Sequence, residues 1–524
     1  MSELSLQGFL AECEREQLHR VQAIQPDGVL LGGMVGDPRI RFASANLADW
    51  IGHGCAEALG QPLAAILPDV PPQTDATTAA DDTWMQPSTE KRLYRNLFSG
   101  PRGSLDGLLS CNEQNWLLEL ETSLPPSRAH DADRPVPHRL YRMPYTELDW
   151  EQQCQYLANE LRAATGFERV MIYRFRDDDC GEVISESLAD GLSPYLGLRY
   201  PASDIPKIAR TLYLSNRHRQ IADIAAEPVP IQGHEEAIAD LTLSDLRAVS
   251  PVHLAYLRNM GVTASLSFSL ILYGRLWGLI ACHHHEPRSL PLPVRERCAE
   301  MAQVFTLSIG GYQNNRRLRE VNGSDQEIVR LLDALRDAES HRRSAAFGAP
   351  TFNPGPILGR ALLSLVAAEG AALVDGNQIV TFGITPTRPE IQAQVEWLRT
   401  GLSDQVFSTD ALPNLFYPAT DYADRASGLL AVRAGRFDHI DKRGERVFLW
   451  WRPEQPRTVY WAGDPRKDVC FDEQSQHLSP RSSFERWIET TSGHSEPWSD
   501  SDLLRAKKFR SLVLRAINAD VLRG

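Results

Sequence analysis

Ser265-Leu-Ser-Phe-Ser-Leu-Ile-Leu-Tyr-Gly-Arg-Leu-Trp-Gly-Leu-Ile-Ala-Cys-His283 reads as two strands joined by a tight turn. Side chains alternate between faces along a strand, so Ser265, Ser267 and Ser269 share one face and Leu266, Phe268 and Leu270 the other. Tyr273-Gly-Arg275 is the turn signal. If the turn centres on Gly274, opposed residues have numbers summing to 548, and Ser265 faces His283. Two readings follow. The polar face lies in water on a half-buried sheet, or it lines a cleft and hydrogen-bonds a ligand. The second strand, Leu276-Trp-Gly-Leu-Ile-Ala-Cys282, is nearly all apolar, as expected of a strand covered on both faces. The run His283-His-His285 suggests metal, but alternation points His284 away from the other two, so no metal site is expected.

Working outward, 524 residues suggest about three domains. With 42% hydrophobic and 23% charged residues, the chain is ordinary for a soluble globular protein. A net charge of −13 argues against nucleic acid or an anionic membrane as partner, since both need clustered Lys and Arg. The eight cysteines form no C-x-x-C pair, which argues against a zinc knuckle and suits free thiols in a reducing compartment. The N-terminus lacks the pattern of a secretory signal, and no apolar run approaches a membrane span. A cytoplasmic, unanchored protein is expected.

The fold class expected is α+β, in three α+β domains joined by long helices. Residues 1–19 form a charged arm, and 20–125 a small domain of short strands and helical pieces. Residues 125–137, rich in Pro and charge, read as a linker. A helix over about 148–164, the strand Arg169–Phe175, loops and helices, and the 263–285 hairpin make a second domain over 140–318. From about 288 to 341 the pattern is helical. Gly310-Gly311 and Gly323 interrupt it, giving two segments or one kinked helix of about 80 Å. A third domain spans 325–510, and 511–524 begins a further helix.

Arg210, Arg219, Arg247 and Arg258 lie in an otherwise apolar region. Arg suits bidentate carboxylate recognition, so a ligand with two carboxylates could use two of them. Structural pairs with Asp204, Asp223 or Asp245 are the alternative. In Tyr200-Pro-Ala-Ser-Asp-Ile-Pro206, Ser203 or Asp204 reads as a helix N-cap, with Pro in the first turn. Cys13 reads as an incidental thiol in a polar arm. No nucleophile elbow, Walker loop or dinucleotide fingerprint is present, so no catalytic domain is visible.

Together these stretches resemble the bacteriophytochrome photosensory core, an N-terminal arm followed by PAS, GAF and PHY domains. The most specific are Tyr200–Pro206, Arg247-Ala-Val-Ser-Pro-Val-His-Leu-Ala-Tyr-Leu-Arg-Asn-Met-Gly261 and Leu276-Trp-Gly-Leu-Ile-Ala-Cys-His-His284, in order within the second domain. Trp450-Trp-Arg-Pro-Glu454 and Pro480-Arg-Ser-Ser-Phe484, with Trp487 beyond, resemble the PHY tongue hairpin, placed at about 446–492.

The resemblance implies a linear tetrapyrrole in the GAF pocket. Asp204 would offer its backbone carbonyl to the pyrrole N–H groups, and His253 would stack near the rings. Arg219 and Arg247 would take one propionate, Ser265 and Ser267 the other. His283 would bond the D-ring carbonyl, inside a pocket shaped by Tyr173, Tyr200 and Tyr256. The residues flanking His253 are Val252 and Leu254, where plant-type phytochromes carry the attachment cysteine; the resemblance to the bacterial type implies attachment at Cys13 in the arm, and with it biliverdin joined by a thioether. The arm would form a knot with a GAF loop. This chain departs from the family pattern at Gln17, where Pro is usual, at Asp27, where His is usual, and at Arg20-Val-Gln22 in place of Ile-Pro-Gly. In the tongue, Asp204 would pair with Arg481 in one light state and Ser483 in the other, with Trp450 and Trp487 as further tongue residues.

The resemblance further implies a red/far-red photoreceptor, a homodimer through the long helices, and output through a kinase domain or response regulator outside this chain. The chain itself shows no phosphoacceptor box, ATP lid or GGDEF signature. The alternative is a non-photochemical PAS/GAF regulator of the cyclic-nucleotide type, which would leave Cys13, the tongue and the paired arginines unexplained.

Overall fold

The structure is a computed structural model and describes residues 17–68, 70, 87–234, 237–344, 356–376, 378–401, 405–434, 446–464, 469–472, 477–480 and 484–521. The chain divides into two compact units, Met1–Tyr312 with Tyr460–Trp487, and Gln313–Val459 with Ile488–Gly524.

The first unit holds two sheets. One has seven strands in the order Ala23–Ile24, Val229–Gly233, Phe42–Ser44, Gly28–Met34, Asn115–Thr122, Gly103–Cys111 and Ser88–Gly100. Alternation decides what each face meets. Val29, Leu31, Leu118 and Leu120 point into a core with Leu47, Trp50 and Ile66. Leu30, Phe42 and Leu117 point the other way and pack with Ala239, Leu241 and Leu246 of the second domain. Both faces are therefore covered, which accounts for the unbroken burial of Gly28–Gly33.

Strand Val229–Gly233 belongs by sequence to the second domain, yet it pairs on one side with Ala23–Ile24 and on the other with Phe42–Ser44. The arm is gripped from its opposite edge too. Leu241 N–H donates to the His19 carbonyl (2.8 Å), Ala248 N–H to Ala23 (2.9 Å), and Gln25 N–H to Leu246 (2.7 Å). Residues 229–248 thus close around residues 19–25, which is the knot. Gln22 sits in the left-handed region at φ 51°. Such a conformation costs a residue with a Cβ roughly 1–2 kcal/mol. Its side-chain amide offsets this by bonding both backbone groups of Ala239, at 2.8 and 3.1 Å.

The second sheet contains, in order, His218–Ile221, Ala264–Leu272, Arg275–His284, Arg169–Phe175, Gly181–Leu188 and Arg199–Tyr200, and Trp461 bridges in parallel to Arg199. Ser265 pairs with His283, and the sum of 548 holds from Ala264↔His284 to Leu270↔Gly278. The turn is a residue tighter than expected. Tyr273 and Gly274 both have positive φ, the mark of a two-residue hairpin turn, and the pairs beside it sum to 547. A bulge with Trp277 as the extra residue restores the outer register. Leu266, Phe268 and Leu270 are fully buried against Leu157, Leu161 and Phe305, while Ser267 and Ser269 are buried too, so the polar face is not in water.

Helix Glu147–Thr165 begins with a reciprocal Thr146/Asp149 cap and ends at left-handed Gly166. Helix Leu292–Ser344 runs 53 residues, so of the two forms expected, two segments or one long helix, the chain takes the single helix through Gly310-Gly311 and Gly323. A helical glycine costs about 1 kcal/mol but keeps its N–H and C=O in the ladder. A Cβ on Gly311 would stand 2.0 Å from the Met143 sulfur, so this glycine serves close packing.

The second unit is a five-stranded antiparallel sheet in the order Gln378–Gly383, Gly370–Asp375, Arg446–Arg452, Gly428–Ala434 and Val406–Thr409. Its central strand sends Val447, Leu449 and Trp451 against Ile391, Val395 and Leu398. Phe448 and Trp450 pack on Leu358, Leu362 and Phe509. Trp450, expected in the tongue, is therefore a core residue of this strand, fully buried and bonded from Nε1 to the Leu362 carbonyl at 2.8 Å. Adjacent aromatic residues on a central strand fill both hydrophobic layers, and that requirement explains the Trp-Trp pair. Among the described residues, no helix is long and apolar enough to cross a membrane.

Candidate functional site

One cavity of about 220 Å³ lies in the first unit. Its wall includes Tyr173, Tyr200, Asp204, Arg219, Arg247, His253, Tyr256, Ser265, Ser267 and His283. These are ten of the residues singled out from the sequence, brought together from seven elements and, for Arg247, a loop. Cys13, Arg481 and Ser483 lie outside the described residues. Trp487 is half-buried on strand Arg486–Thr491.

The hairpin supplies one wall, with Ser265, Ser267, Ala281 and His283 facing the cavity. Helix Pro251–Asn259 begins with Pro in its first turn and supplies His253 and Tyr256, one turn apart and ring-stacked at 6.1 Å. Tyr256 donates its hydroxyl to Asp204 Oδ2 at 2.7 Å. Asp204 is not the helix cap expected of it. Ala202–Asp204 forms a separate 3-10 turn, and the helix starts at Lys207 with Pro206 as its cap residue. Ile205 precedes a proline and is held extended, at φ −130° and ψ 87°, which splits the two turns. The Asp204 carboxylate is thereby left to side-chain partners.

Tyr173 and Tyr200 meet edge to face at 5.7 Å. Gly181, on the neighbouring strand, lies under the Tyr173 ring, where an added Cβ would stand 1.6 Å from Cζ. Buried Ala462, with Tyr460 and Phe484, packs on Tyr173 and Tyr200. Phe484 also meets Tyr256 edge-on at 5.1 Å. Tyr460, Ala462 and Phe484 therefore touch the same tyrosines that line the cavity.

The four arginines separate into two pairs. Arg219 and Arg247 line the cavity. Arg219 donates to the Asp245 carbonyl at 2.6 Å and to that of Arg247, and Arg247 donates to Leu241 at 3.2 Å. Burial lowers the pKa of both, and with Arg219 beside it Arg247 falls to about 9. Arg210 instead clamps the Tyr200–Pro206 segment, bonding the Ile205 carbonyl at 2.8 Å and Asp179 at 2.9 Å. Arg258 is exposed. Burial, reinforced by Arg219, pushes His253 down to about 4. Burial, then Arg169 and His253, pushes His283 to about 3. Both imidazoles are neutral at neutral pH and can each donate one hydrogen bond and accept one.

Sequence reasoning missed Tyr213, whose hydroxyl lies 3.2 Å from Ser267 Oγ, and Leu18 of the arm, both on the cavity wall. Tyr213 was legible in principle: Ile208, Ala209, Leu212 and Tyr213 share one helical face, and all line the cavity. Nothing local marks Leu18, which arrives through the knot.

Three family models match in order: the PAS fold over residues 13–122, the GAF domain over 149–311 and the phytochrome region over 357–521. A bacteriophytochrome of Xanthomonas campestris is 33% identical over 517 residues, covering 96% of this chain and 78% of its own. The chain belongs to the phytochrome family. It is 32% identical to a Pseudomonas aeruginosa bacteriophytochrome and 33% to cyanobacterial phytochrome B of Nostoc, over 96% of this chain and 66% of each relative. It thus spans about two thirds of the length of those two phytochromes. Among solved structures, a bacteriophytochrome from R. palustris superposes with a TM-score of 0.74 at 33% identity, covering 97% of this chain and 99% of that one. The Stigmatella aurantiaca phytochrome photosensory core superposes at 0.75 with 31% identity, covering 97% and 98%. The PAS-GAF-PHY order of this phytochrome core accounts for the arm, the two sheets of the first unit and the five-stranded sheet of the second.

Proposed function

We propose that this phytochrome core is a red/far-red photoreceptor module whose cavity binds biliverdin covalently. The observation that carries the reading is the cavity's composition. Two buried arginines stand beside Ser265 and Ser267, with two neutral histidines and four tyrosines on a largely apolar wall. Buried guanidinium groups held only by backbone carbonyls suit a ligand that brings carboxylates into an apolar site. A flat, conjugated dicarboxylate with polar ends fits that donor set.

Bound biliverdin supplies visible absorption and a C15=C16 double bond that light isomerises. The chain's own groups do the rest. Arg219 and Arg247 bind one propionate, and Ser265 and Ser267 bind the other. The Asp204 carbonyl accepts from the pyrrole N–H groups, and His253 stacks beside them. His283 donates to the D-ring carbonyl from the hairpin wall, with Tyr173, Tyr200 and Tyr256 bounding the space in which that ring turns. Cys13 would be the covalent anchor, its S–H adding across an A-ring vinyl group with no oxidant needed. Leu18 lines the cavity, and five residues of chain reach at most about 17 Å from it. Asp204 serves as the relay, exchanging between Arg481 and Ser483 as the hairpin changes form. Its bond to Tyr256, which itself touches Phe484, supports a path from ring to hairpin. The signal continues to a kinase domain or response regulator beyond this chain.

Mixing the purified apoprotein with biliverdin tests the reading. A red absorption band and a zinc-fluorescent band on a denaturing gel are expected, with the gel signal lost in Cys13→Ala. No red band in the wild type would refute pigment binding. A persistent gel signal in Cys13→Ala would refute the attachment site.

A further inference from the structure

Glu119 lies in the middle of PAS strand Asn115–Thr122, far in sequence from every cavity residue, and its side chain is fully enclosed. It accepts three hydrogen bonds from one short GAF segment. Ser244 Oγ donates at 2.5 Å, Asp245 N–H at 2.9 Å and Leu246 N–H at 2.9 Å. Each of the first two donors is one bond from a cavity arginine. Ser244 Oγ in turn accepts the N–H of Arg247 at 2.9 Å. The carbonyl of Asp245 accepts Nη1 of Arg219 at 2.6 Å. A second PAS residue, Lys91, holds the Asp245 carboxylate at 2.5 Å from the same sheet.

We propose that Glu119 is a positioning residue that sets the Arg219–Arg247 pair for a ligand carboxylate, so that the PAS domain determines how the GAF cavity recognises the acid end of its pigment. The inference rests on the bilin reading above and deepens it. A carboxylate suits the task because its two oxygens accept all three donors at once. Glutamine at this place keeps the shape but offers one acceptor oxygen, and with that oxygen kept for Ser244 and Leu246 its NH2 group faces the Asp245 N–H, donor against donor. The segment 244–247 then shifts, and both guanidinium groups shift with it. A contact that depends on two charged groups converging loses strength with small displacement. The apolar and histidine contacts to the pigment, made by other elements, are untouched.

The discriminating experiment compares biliverdin with its dimethyl ester, which has the same rings and no carboxylates. Affinities are read from the red absorption band in the Cys13→Ala background, where binding is reversible. For Glu119→Gln, the expected result is a loss of about tenfold for biliverdin and a change within about twofold for the ester. Ser244→Ala, which keeps the carboxylate and its bonds from Asp245 and Leu246 but removes the Ser244 hydroxyl that links Glu119 to the Arg247 N–H, is expected to show the same selectivity with a smaller loss. It decides the matter if Glu119→Gln fails to fold. Equal losses for acid and ester would make Glu119 a purely structural residue and overturn the proposal, as would no loss for either. Failure of the parent protein to bind biliverdin would instead remove the bilin reading, and this inference with it.

Discussion

At the scale of single residues, burial sets the chemistry of the cavity. His253 and His283 are held neutral far below the ordinary histidine value of 6.5. The unfolded chain therefore binds protons between about pH 4 and 6.5 that the folded protein refuses. Stability from His253 is full above 6.5 and drains as pH falls toward about 4, by up to about 1.4 kcal/mol per pH unit. Urea titrations of the apoprotein should show the midpoint falling between pH 6.5 and 5, with a flatter profile in His253→Gln. An equal slope in the variant would contradict the assignment. Gly181 gives a steric counterpart. Alanine there must displace the Tyr173 ring, at a cost of about 1–3 kcal/mol. The same denaturation assay should register that loss, and the pigment band should shift as the tyrosine wall moves.

At the scale of elements, the sequence made local pairing readable and left long-range pairing dark. The Ser265–His283 pairing follows from alternation and a turn signal, because a hairpin is specified by adjacent residues. Even so, the register survives only because the Trp277 bulge compensates a turn one residue tighter than assumed. The Asp204 turn was misread, since a Ser-Asp pair before a helix looks like a cap whatever its tertiary partners. Ile205 before Pro206 was the local clue. The two roles of arginine could not be separated from sequence, because Arg210 and Arg219 differ only in what the fold brings near them. The knot was legible through family resemblance alone, since residues 19–25 find partners more than 200 positions away. Gln22 tests the arm directly. Gln22→Ala keeps the strained backbone and loses both bonds to Ala239, whereas Gln22→Gly relieves the strain. Chemical denaturation should place the alanine variant about 1–2 kcal/mol below wild type, with the glycine variant between them.

For the whole molecule, the three-domain order was readable from motifs, but the role of the Trp-Trp pair was not, because a central strand and a hairpin arm present the same apolar run. The long helix exposes Leu307 at 70% of its surface. Met143, packed on Gly311 one turn along the same helix, is also exposed, and the two suit contact with a second copy of the chain. Light scattering should find a dimer that Leu307→Glu weakens; a wild-type monomer at micromolar concentration would remove this face as the interface. Reversible photoconversion is the property that defines a red/far-red photoreceptor. The pigment-loaded protein, illuminated alternately with red and far-red light, should give a difference spectrum with two bands of opposite sign that reverses through repeated cycles. A red band that forms with biliverdin yet stays unchanged under either light would contradict it.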